Sequence, residues 1–398
     1  MFKKFWFKVH FILGLAFGFI LLVVGITGGL LSFEKEILKV INPQSYVVLV
    51  PQKAQKAEAN EMIAALKQHI PDAKINSVTF FSHQTSSAII NIASSNPQQR
   101  KGINYYINPY TCELLPQIKG ETFFKAVEDL HRRLMLGNIG KQLVGITTVA
   151  LIILLFSGLY LYFPRLKRTF LASFTFSFKS QGRYFLHTLH SSLGLWVLPL
   201  YLVTVLTGLY WSYDWYRQGL HNLSGVPLPT RPAVILNKNA ENQTKTPLNN
   251  VTPSLKKTQN KEQIKKFNEL FDTQMSQAIK LFETILQKEY SQATIRVPNS
   301  GTIYTISYFD KQAAHSRARN QIQIDIQNKS VLNHSRYEDK PLNEKLMSSI
   351  LPIHSGEFFG TIGQILMFIS SMLMPLFAIT GLMLYLNRKH NKKKRAQK

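Results

Sequence analysis

The stretch from Phe11 to Phe33 reads FILGLAFGFILLVVGITGGLLSF and contains no Asp, Glu, Lys or Arg. An α-helix needs about 20 apolar residues to cross the hydrocarbon core of a bilayer, and a charged side chain at its centre costs about 2.5–3.5 kcal/mol. Three further runs are long enough and free of charge, namely Gln142–Phe163, Ser191–Tyr213 and Thr361–Asn387. We therefore predict an α-helical membrane protein with four transmembrane helices.

The charged residues outside these runs predict the orientation. The N-terminus, the loop after the second run and the C-terminal tail contain Lys and Arg but no acidic residue, whereas all 22 Asp and Glu residues lie within 34–129 and 214–357. Because loops rich in Lys and Arg stay in the cytoplasm, we expect both termini there and the two long segments on the other side of the membrane. The first run exceeds the h-region of a signal peptide, so we expect an uncleaved signal anchor.

The net charge of +25 follows largely from this topology. It is therefore poor evidence for nucleic-acid binding, and we expect no nucleic-acid partner. No hydrolase or nucleotide-binding motif occurs in a strand–helix context. Cys112 is the only cysteine, which excludes an internal disulfide, a cysteine-based metal cluster and covalently attached haem.

The sequence contains an internal repeat. Aligning His10 with His190 without gaps matches the first span to the third, and aligning His131 with His354 matches the second to the fourth. We predict two copies of a unit made of a helix, a soluble domain and a helix, related by a pseudo-two-fold axis along the membrane normal. The other aligned positions include Gly14 with Gly194, Thr27 and Gly28 with Thr207 and Gly208, Gly140 with Gly363, Gly158 with Gly381, and Arg165 with Arg388.

Each long segment has the pattern of a small α+β domain. The polar stretch Lys238–Asn260 is predicted to be a linker. In the first segment we predict a helix at Glu58–His69 and strands at Ser77–Phe81, Ala88–Ala93 and Ile103–Ile107. In the second we predict a helix at Lys261–Lys288 and strands at Ala293–Val297, Thr302–Phe309 and Gln321–Ile326.

Four of the 11 histidines hold equivalent places in the repeat. His10 and His190 begin spans one and three at the cytoplasmic face, and His131 and His354 precede spans two and four at the opposite face. Two imidazoles facing each other across the axis are what a six-coordinate haem b requires. We therefore expect two b-type haems, one near each face, which together form an electron path across the membrane. The other histidines lie in polar surroundings, and we expect solvent contact for His69, His83, His221, His315, His334 and His390.

The four paired histidines also fit roles that need no haem. An interfacial histidine is commonly a satisfied polar group, and imidazole also binds zinc and copper. Glycines nearby, such as Gly140 and Gly363, leave room either for a macrocycle or for helix packing. Further candidates are His187, as a reserve ligand or a hydrogen-bonding neighbour, and three arginines that either pair with haem propionates or anchor the chain at the interface, Arg132, Arg133 and Arg183.

Several of these runs resemble the PepSY-associated transmembrane family. The resemblance covers nearly the whole chain and rests on Leu130–Leu134, Gly158–Arg165, Leu189–Trp196, Pro352–Gly356 and Tyr105–Thr111. It implies an inner-membrane haem protein of iron acquisition, with PepSY-like domains in the periplasm, that reduces ferric siderophores through two b haems. His10 and His190 would ligate the inner haem, and His131 and His354 the outer one. Cys112 departs from the usual Gly of the PepSY turn, and Ser191 from an Arg.

We therefore expect an oxidoreductase that reduces ferric iron in the periplasm of a bacterium, with a quinol or a separate flavoprotein as electron donor. No residue stands out as catalytic. The alternative is a non-enzymatic membrane protein whose PepSY domains bind a ligand or partner, or sense and regulate iron uptake, without haem. The expected segments are 1–33 (cytoplasmic N-terminus and first span), 34–130 (first PepSY-like domain), 131–163 (histidine segment and second span), 164–190 (basic cytoplasmic loop), 191–213 (third span), 214–353 (linker and second PepSY-like domain), 354–387 (histidine segment and fourth span) and 388–398 (basic cytoplasmic tail).

Overall fold

The computed structural model describes residues 1–96, 99, 101–229, 274–298 and 301–396. Its helices are α1 (Phe2–Ser32), α2 (Glu34–Ile41), α3 (Pro43–Tyr46), α4 (Ala59–His69), α5 (Glu121–Arg133), α6 (Gly137–Arg168), α7 (Phe170–Ser173), α8 (Gly182–Ser212), α9 (Asp214–Ser224), α10 (described at 274–286), α11 (Leu342–Ser355) and α12 (Gly360–Ala396). Its strands are β1 (Ile75–Phe81), β2 (Ala88–Ile92), β3 (Ile103–Ile107), β4 (Tyr290–Arg296), β5 (Ile303–Asp310), β6 (Asn320–Asp325) and β7 (Ser330–Ser335). The predicted linker lies outside these residues.

Four helices among the described residues are long and apolar enough to cross a membrane, and they are α1, α6, α8 and a segment from Glu357 to Lys389 that includes most of α12. The prediction of four transmembrane helices is confirmed, and the chain is a multi-pass membrane protein. The sequence patterns do not predict the helices that flank the spans, since α5, α9 and α11 lie in stretches without a predicted helix.

The four long helices form a bundle in which α1 and α8 lie diagonally opposite. Each of these two helices packs against both α6 and α12. Small residues permit the closest approach: a Cβ atom at Gly25 of α1 would lie 2.6 Å from the Cβ of Met374 in α12. We call the end of the bundle where α1 begins and α12 ends the terminal end, and the end where α1 leads into α2 the sheet end.

All the described strands join in one antiparallel sheet of order β3-β2-β1-β4-β5-β6-β7. One face packs on α4 and α10 through an apolar core that includes Met62, Ile90, Phe282 and Ile306. The predicted strands and the predicted helix of the first segment are present with small shifts of their ends, and β7 is an additional strand. Of the predicted helix Lys261–Lys288, residues 274–286 are helical, and 261–273 lie outside the described residues. The strands of the two segments are continuous in this sheet, because β1 pairs with β4 from Ser77 opposite Arg296 onwards. The pairing of β1 with β4 removes the two exposed strand edges that separate sheets would have.

Glu357 is a polar link between the sheet region and the bundle. Glu357, just before α12, accepts hydrogen bonds from the backbone N–H of Ser316 at 2.9 Å and from its Oγ at 2.7 Å. The same carboxylate pairs with Lys35 of α2 at 3.4 Å. Since Ser316 lies in the loop between β5 and β6, Glu357 links three parts of the chain at the sheet end of the bundle.

Cys112 occupies a backbone position that favours glycine. Its φ of 58° is left-handed, a conformation that glycine adopts at low cost and other residues rarely adopt. The backbone N–H of Cys112 donates to the Asn108 carbonyl at 2.9 Å, and this hydrogen bond closes the turn.

Candidate haem sites

The terminal end of the bundle brings His10 of α1 and His190 of α8 together. Their ring centroids lie 6.4 Å apart, with the ring planes 77° from each other, and both side chains are half-buried. These histidines come from diagonally opposite helices, as expected if equivalent positions face each other across an axis.

The sheet end brings His131 and His354 together in the same way. Their ring centroids also lie 6.4 Å apart, at an interplanar angle of 67°. His131 lies on α5 and His354 on α11, so these two rings approach the bundle from short helices that precede the spans. The distance between the two pairs follows from the positions on α1 of His10 and of Thr27, which lies beside His131. Because an α-helix rises about 1.5 Å per residue, the two pairs are about 25 Å apart along α1.

The Nδ1 atom of each histidine lies within hydrogen-bond distance of a Ser or Thr hydroxyl on a neighbouring spanning helix. The Nδ1 atom of His10 is 2.9 Å from Ser157 Oγ, and that of His190 is 2.8 Å from Thr380 Oγ1. At the sheet end, Nδ1 of His131 is 3.1 Å from Thr27 Oγ1 and Nδ1 of His354 is 2.9 Å from Thr207 Oγ1. The Nε2 atoms of these four histidines have no hydrogen-bond partner among the described residues.

The residue after each hydroxyl is a glycine that lies against the same imidazole. An added Cβ at Gly158 would lie 3.1 Å from His10 Cε1, and one at Gly28 would lie 3.1 Å from His131 Cε1. The corresponding separations are 3.5 Å between Gly208 and His354, and 4.0 Å between Gly381 and His190. We name each hydroxyl–glycine pair a histidine seat: Ser157-Gly158, Thr380-Gly381, Thr27-Gly28 and Thr207-Gly208.

The histidine seats have a sequence signal that the repeat reveals only in part. The alignment of spans one and three matches Thr27-Gly28 with Thr207-Gly208, but it assigns them no function, and it does not draw attention to the hydroxyls of Ser157 and Thr380. The full signal is a hydroxyl–glycine pair in every span. Of the two alternatives for Gly140 and Gly363, room for a macrocycle or packing, the contacts favour packing, because both glycines lie against backbone atoms of the turns that precede α6 and α12.

The distances can be tested against metal binding. Because a metal–imidazole bond is about 2 Å long and a ring nitrogen lies about 1.1 Å from the ring centroid, two imidazoles on opposite sides of one metal ion have centroids about 6 Å apart. Both pairs meet this requirement at 6.4 Å. A hydrogen bond from the second ring nitrogen to a fixed partner is also typical of metal-binding histidines. By this distance, His10 with His190 and His131 with His354 would each suit a group that takes two protein imidazoles, as haem b does.

A zinc site made of protein ligands fits less well. Structural and catalytic zinc ions take four or three protein ligands. Within the described ranges, no group of three or more His, Cys, Asp or Glu side chains is placed to hold a metal ion. Each pair supplies two imidazoles only, so a group that brings its own equatorial ligands is the better match.

The protonation of the sheet-end pair suits a ligand role. Desolvation by the surrounding helices lowers the pKa of His131 and of His354 to about 4. Both rings are therefore neutral at neutral pH. A neutral imidazole offers a nitrogen lone pair to a metal ion, whereas an imidazolium does not.

The other candidate residues lie around these pairs. His187 and Arg183 are exposed at the start of α8. Arg132 and Arg133 are exposed on α5 and pair within that helix, Arg132 with Glu128 at 2.7 Å and Arg133 with Asp129 at 3.4 Å. Their assignment to propionates stays a prediction.

Two histidines that the sequence predicts to be solvated are buried. His221 lies in the last turn of α9, where Nδ1 is 2.8 Å from the Val226 carbonyl oxygen and Nε2 is 3.0 Å from Tyr210 Oη. His315 lies in a polar cluster, with Nε2 3.0 Å from Ser349 Oγ. The expectation was wrong at these two positions, because polar sequence neighbours do not reveal burial between elements that are distant in the chain.

Comparison with known proteins identifies a family whose model matches this chain. The model of the PepSY-associated TM region matches residues 7–388 and so includes all four paired histidines. No curated protein matches the chain.

Proposed function

This chain belongs to the PepSY-associated TM family, and from that premise we propose that it binds two b-type haems and reduces ferric iron, as a ferric siderophore, on the periplasmic side of a bacterial inner membrane. The observation that carries the proposal is the pairing of imidazoles at both ends of the bundle, each at 6.4 Å. His10 and His190 would hold the inner haem, and His131 and His354 the outer one. The two halves of the chain are, in this proposal, copies of one unit.

Haem supplies reversible one-electron transfer when it is bound. The chain's own part is to hold the imidazoles, to keep their Nε2 atoms free and to separate the two levels by an apolar layer. That layer includes Leu21, Leu154, Val197 and Met374, which pack in the middle of the bundle. Each ferric ion accepts one electron and leaves as ferrous iron, and a quinol or a separate flavoprotein supplies the electrons.

The sheet offers a surface for the ferric chelate. On the face opposite the apolar core, Thr79, Thr294 and Ser307 lie side by side in register across β1, β4 and β5, and Thr79 Oγ1 is 2.9 Å from Thr294 Oγ1. In the next row Arg296 pairs with Thr305. Because Thr79 and Ser307 are buried, the more accessible groups for a polar chelate are the exposed Arg296 and the half-buried Thr305. Because the sheet joins the bundle beside Glu357, it lies at the same end as His131 and His354.

The absorption spectrum of the purified full-length protein tests the proposal. We expect a Soret band and an α band that sharpens on reduction with dithionite, two haems per chain, and complete extraction of haem into acid acetone because no cysteine pair holds it covalently. As a matched pair, His190→Ala should lose one haem, whereas His69→Ala, which removes an exposed histidine on α4, should lose none. A colourless protein would refute the proposal and favour a binding or sensing role without haem.

The orientation is tested separately. A topology reporter fused after Lys119 should be active in the periplasm, and one fused after Lys179 should be active in the cytoplasm, because the segment around Lys179 is basic and lacks acidic residues. A periplasmic signal at Lys179 would reverse the assignment of inner and outer haems.

A further inference from the structure

The hydroxyl group of each histidine seat has one proton, and its hydrogen bonds show where that proton lies. Thr380 Oγ1 donates to the Leu376 carbonyl at 2.7 Å, and Thr27 Oγ1 donates to a carbonyl one turn back at 2.7 Å. Thr207 and Ser157 likewise donate to carbonyls of their own helices. Because the proton is used there, each hydroxyl oxygen accepts the hydrogen bond that joins it to the histidine. The proton of that second bond therefore lies on Nδ1.

A neutral imidazole carries one proton, so a proton on Nδ1 leaves the Nε2 lone pair free. We propose that the hydroxyls of Ser157, Thr380, Thr27 and Thr207 are positioning groups that hold this tautomer and tune the electron donation of each histidine to haem iron. The inference rests on the proposed function, since it requires haem at both pairs. The inference goes beyond the proposed function by assigning control of the haem midpoint potentials to residues that do not touch the metal.

The direction of the effect follows from the chemistry of the ligand. An acceptor for Nδ1–H makes the imidazole a more basic ligand. A more basic axial ligand stabilises ferric over ferrous haem and so lowers the midpoint potential. Removing the hydroxyl should therefore raise the potential of the haem at that end of the bundle.

The four histidine seats differ in whether the histidine Nδ1 has a second hydrogen-bond acceptor besides the hydroxyl. Nδ1 of His131 lies 3.1 Å from Thr27 Oγ1 and also 3.1 Å from the Val24 carbonyl oxygen. Nδ1 of His190 has Thr380 Oγ1 as its one acceptor in the part of the chain that the structure describes. If Thr27 loses its hydroxyl, the Val24 carbonyl still accepts the Nδ1 proton. If Thr380 loses its hydroxyl, His190 has no such substitute.

A redox titration of the purified full-length protein, followed by the haem absorption bands, tests this difference. Thr380→Ala removes the hydroxyl group, whereas Thr380→Ser keeps it. We expect Thr380→Ala to raise one of the two midpoint potentials and Thr380→Ser to leave both near the wild-type values. Ser157→Ala should raise the same potential as Thr380→Ala, because His10 and His190 share one site. Thr27→Ala should raise the other potential, and by less.

The outcomes that overturn the proposal are equally specific. Identical potentials in Thr380→Ala and Thr380→Ser would overturn it, and so would a shift in Thr27→Ala as large as that in Thr380→Ala. If Thr380→Ala loses haem, retention in Thr380→Ser supports the hydroxyl role, whereas loss in both variants contradicts it. Wild-type protein without haem refutes the proposed function instead, and this result precedes any variant.

Discussion

The two histidine pairs have the same ring separation, but the chain builds them differently. At the terminal end, His10 and His190 lie within long spanning helices, so the helices themselves carry the rings. At the sheet end, His131 and His354 lie on the short helices α5 and α11, and turns with left-handed residues at Leu134 and Gly356 separate these from the spans. The terminal-end pair therefore depends on helix packing, and the sheet-end pair depends also on two turns.

The two ends of the bundle also differ in their contacts with the sheet. Glu357 lies in the turn after α11, close to His354 in the chain, and bonds the β5–β6 loop through Ser316. Among the described residues the terminal end has no counterpart of this contact, since the sheet lies at the other end of the bundle. A ligand that moves the β5–β6 loop should consequently affect the sheet-end pair first, and the terminal-end pair only through the bundle.

Removing one histidine from each pair should have the largest effect. His354→Ala should reduce the haem content from two per chain to one and abolish periplasmic ferric reduction, while the remaining haem is still reduced by the physiological donor. His190→Ala should leave one haem that dithionite reduces but the donor does not. Haem extraction and reduction by each agent measure both results.

Two outcomes would contradict the presence of independent haem-ligand pairs at the two ends of the bundle. Loss of both haems in either variant would show that the pairs are not independent. Retention of two haems and wild-type reduction in both variants would show that these histidines are not ligands but ordinary polar groups near the membrane interface.

Alanine at the seat glycines should have an intermediate effect that depends on clearance. In Gly28→Ala the new methyl would lie 3.1 Å from His131 Cε1, so the ring must move, at a cost of about 1–3 kcal/mol for overpacking. In Gly381→Ala the separation from His190 Cε1 is 4.0 Å, an ordinary contact. We expect lower haem occupancy at the sheet end for Gly28→Ala and wild-type occupancy for Gly381→Ala. Equal occupancy in the two variants would contradict the ring positions.

Breaking the contact at Glu357 should have the smallest effect. Glu357→Gln weakens charged hydrogen bonds, each worth about 1.5–3 kcal/mol, and should increase hydrogen exchange in residues 311–319 while the terminal-end haem spectrum is unchanged. Glu289→Gln is a matched control, because its partner Lys311 forms an exposed ion pair of the kind that contributes about 0–1 kcal/mol. If both variants change exchange equally, Glu357 does not couple the sheet to the bundle.

Much of this architecture is predictable because it depends on local properties of the chain. The spans are runs without charge, and the strands alternate apolar and polar residues, so both are visible within a window of a few residues. Helices α5 and α11 escape prediction because each is short and directly precedes a span, so that its amphipathic pattern merges with the flank of that span. The joining of β1 with β4 escapes prediction because edge pairing between distant segments leaves no local signal.

The amino-acid sequence by itself determined the number of spans, and it predicted the repeat and the equivalence of the four histidines. Only the tertiary structure decided that the rings meet at 6.4 Å and which hydroxyl each one contacts. His10 and Ser157, for example, are 147 residues apart in the chain. Such a contact follows from how α1 packs against α6, and helix packing depends on side chains from both helices together, which neither helix reveals alone.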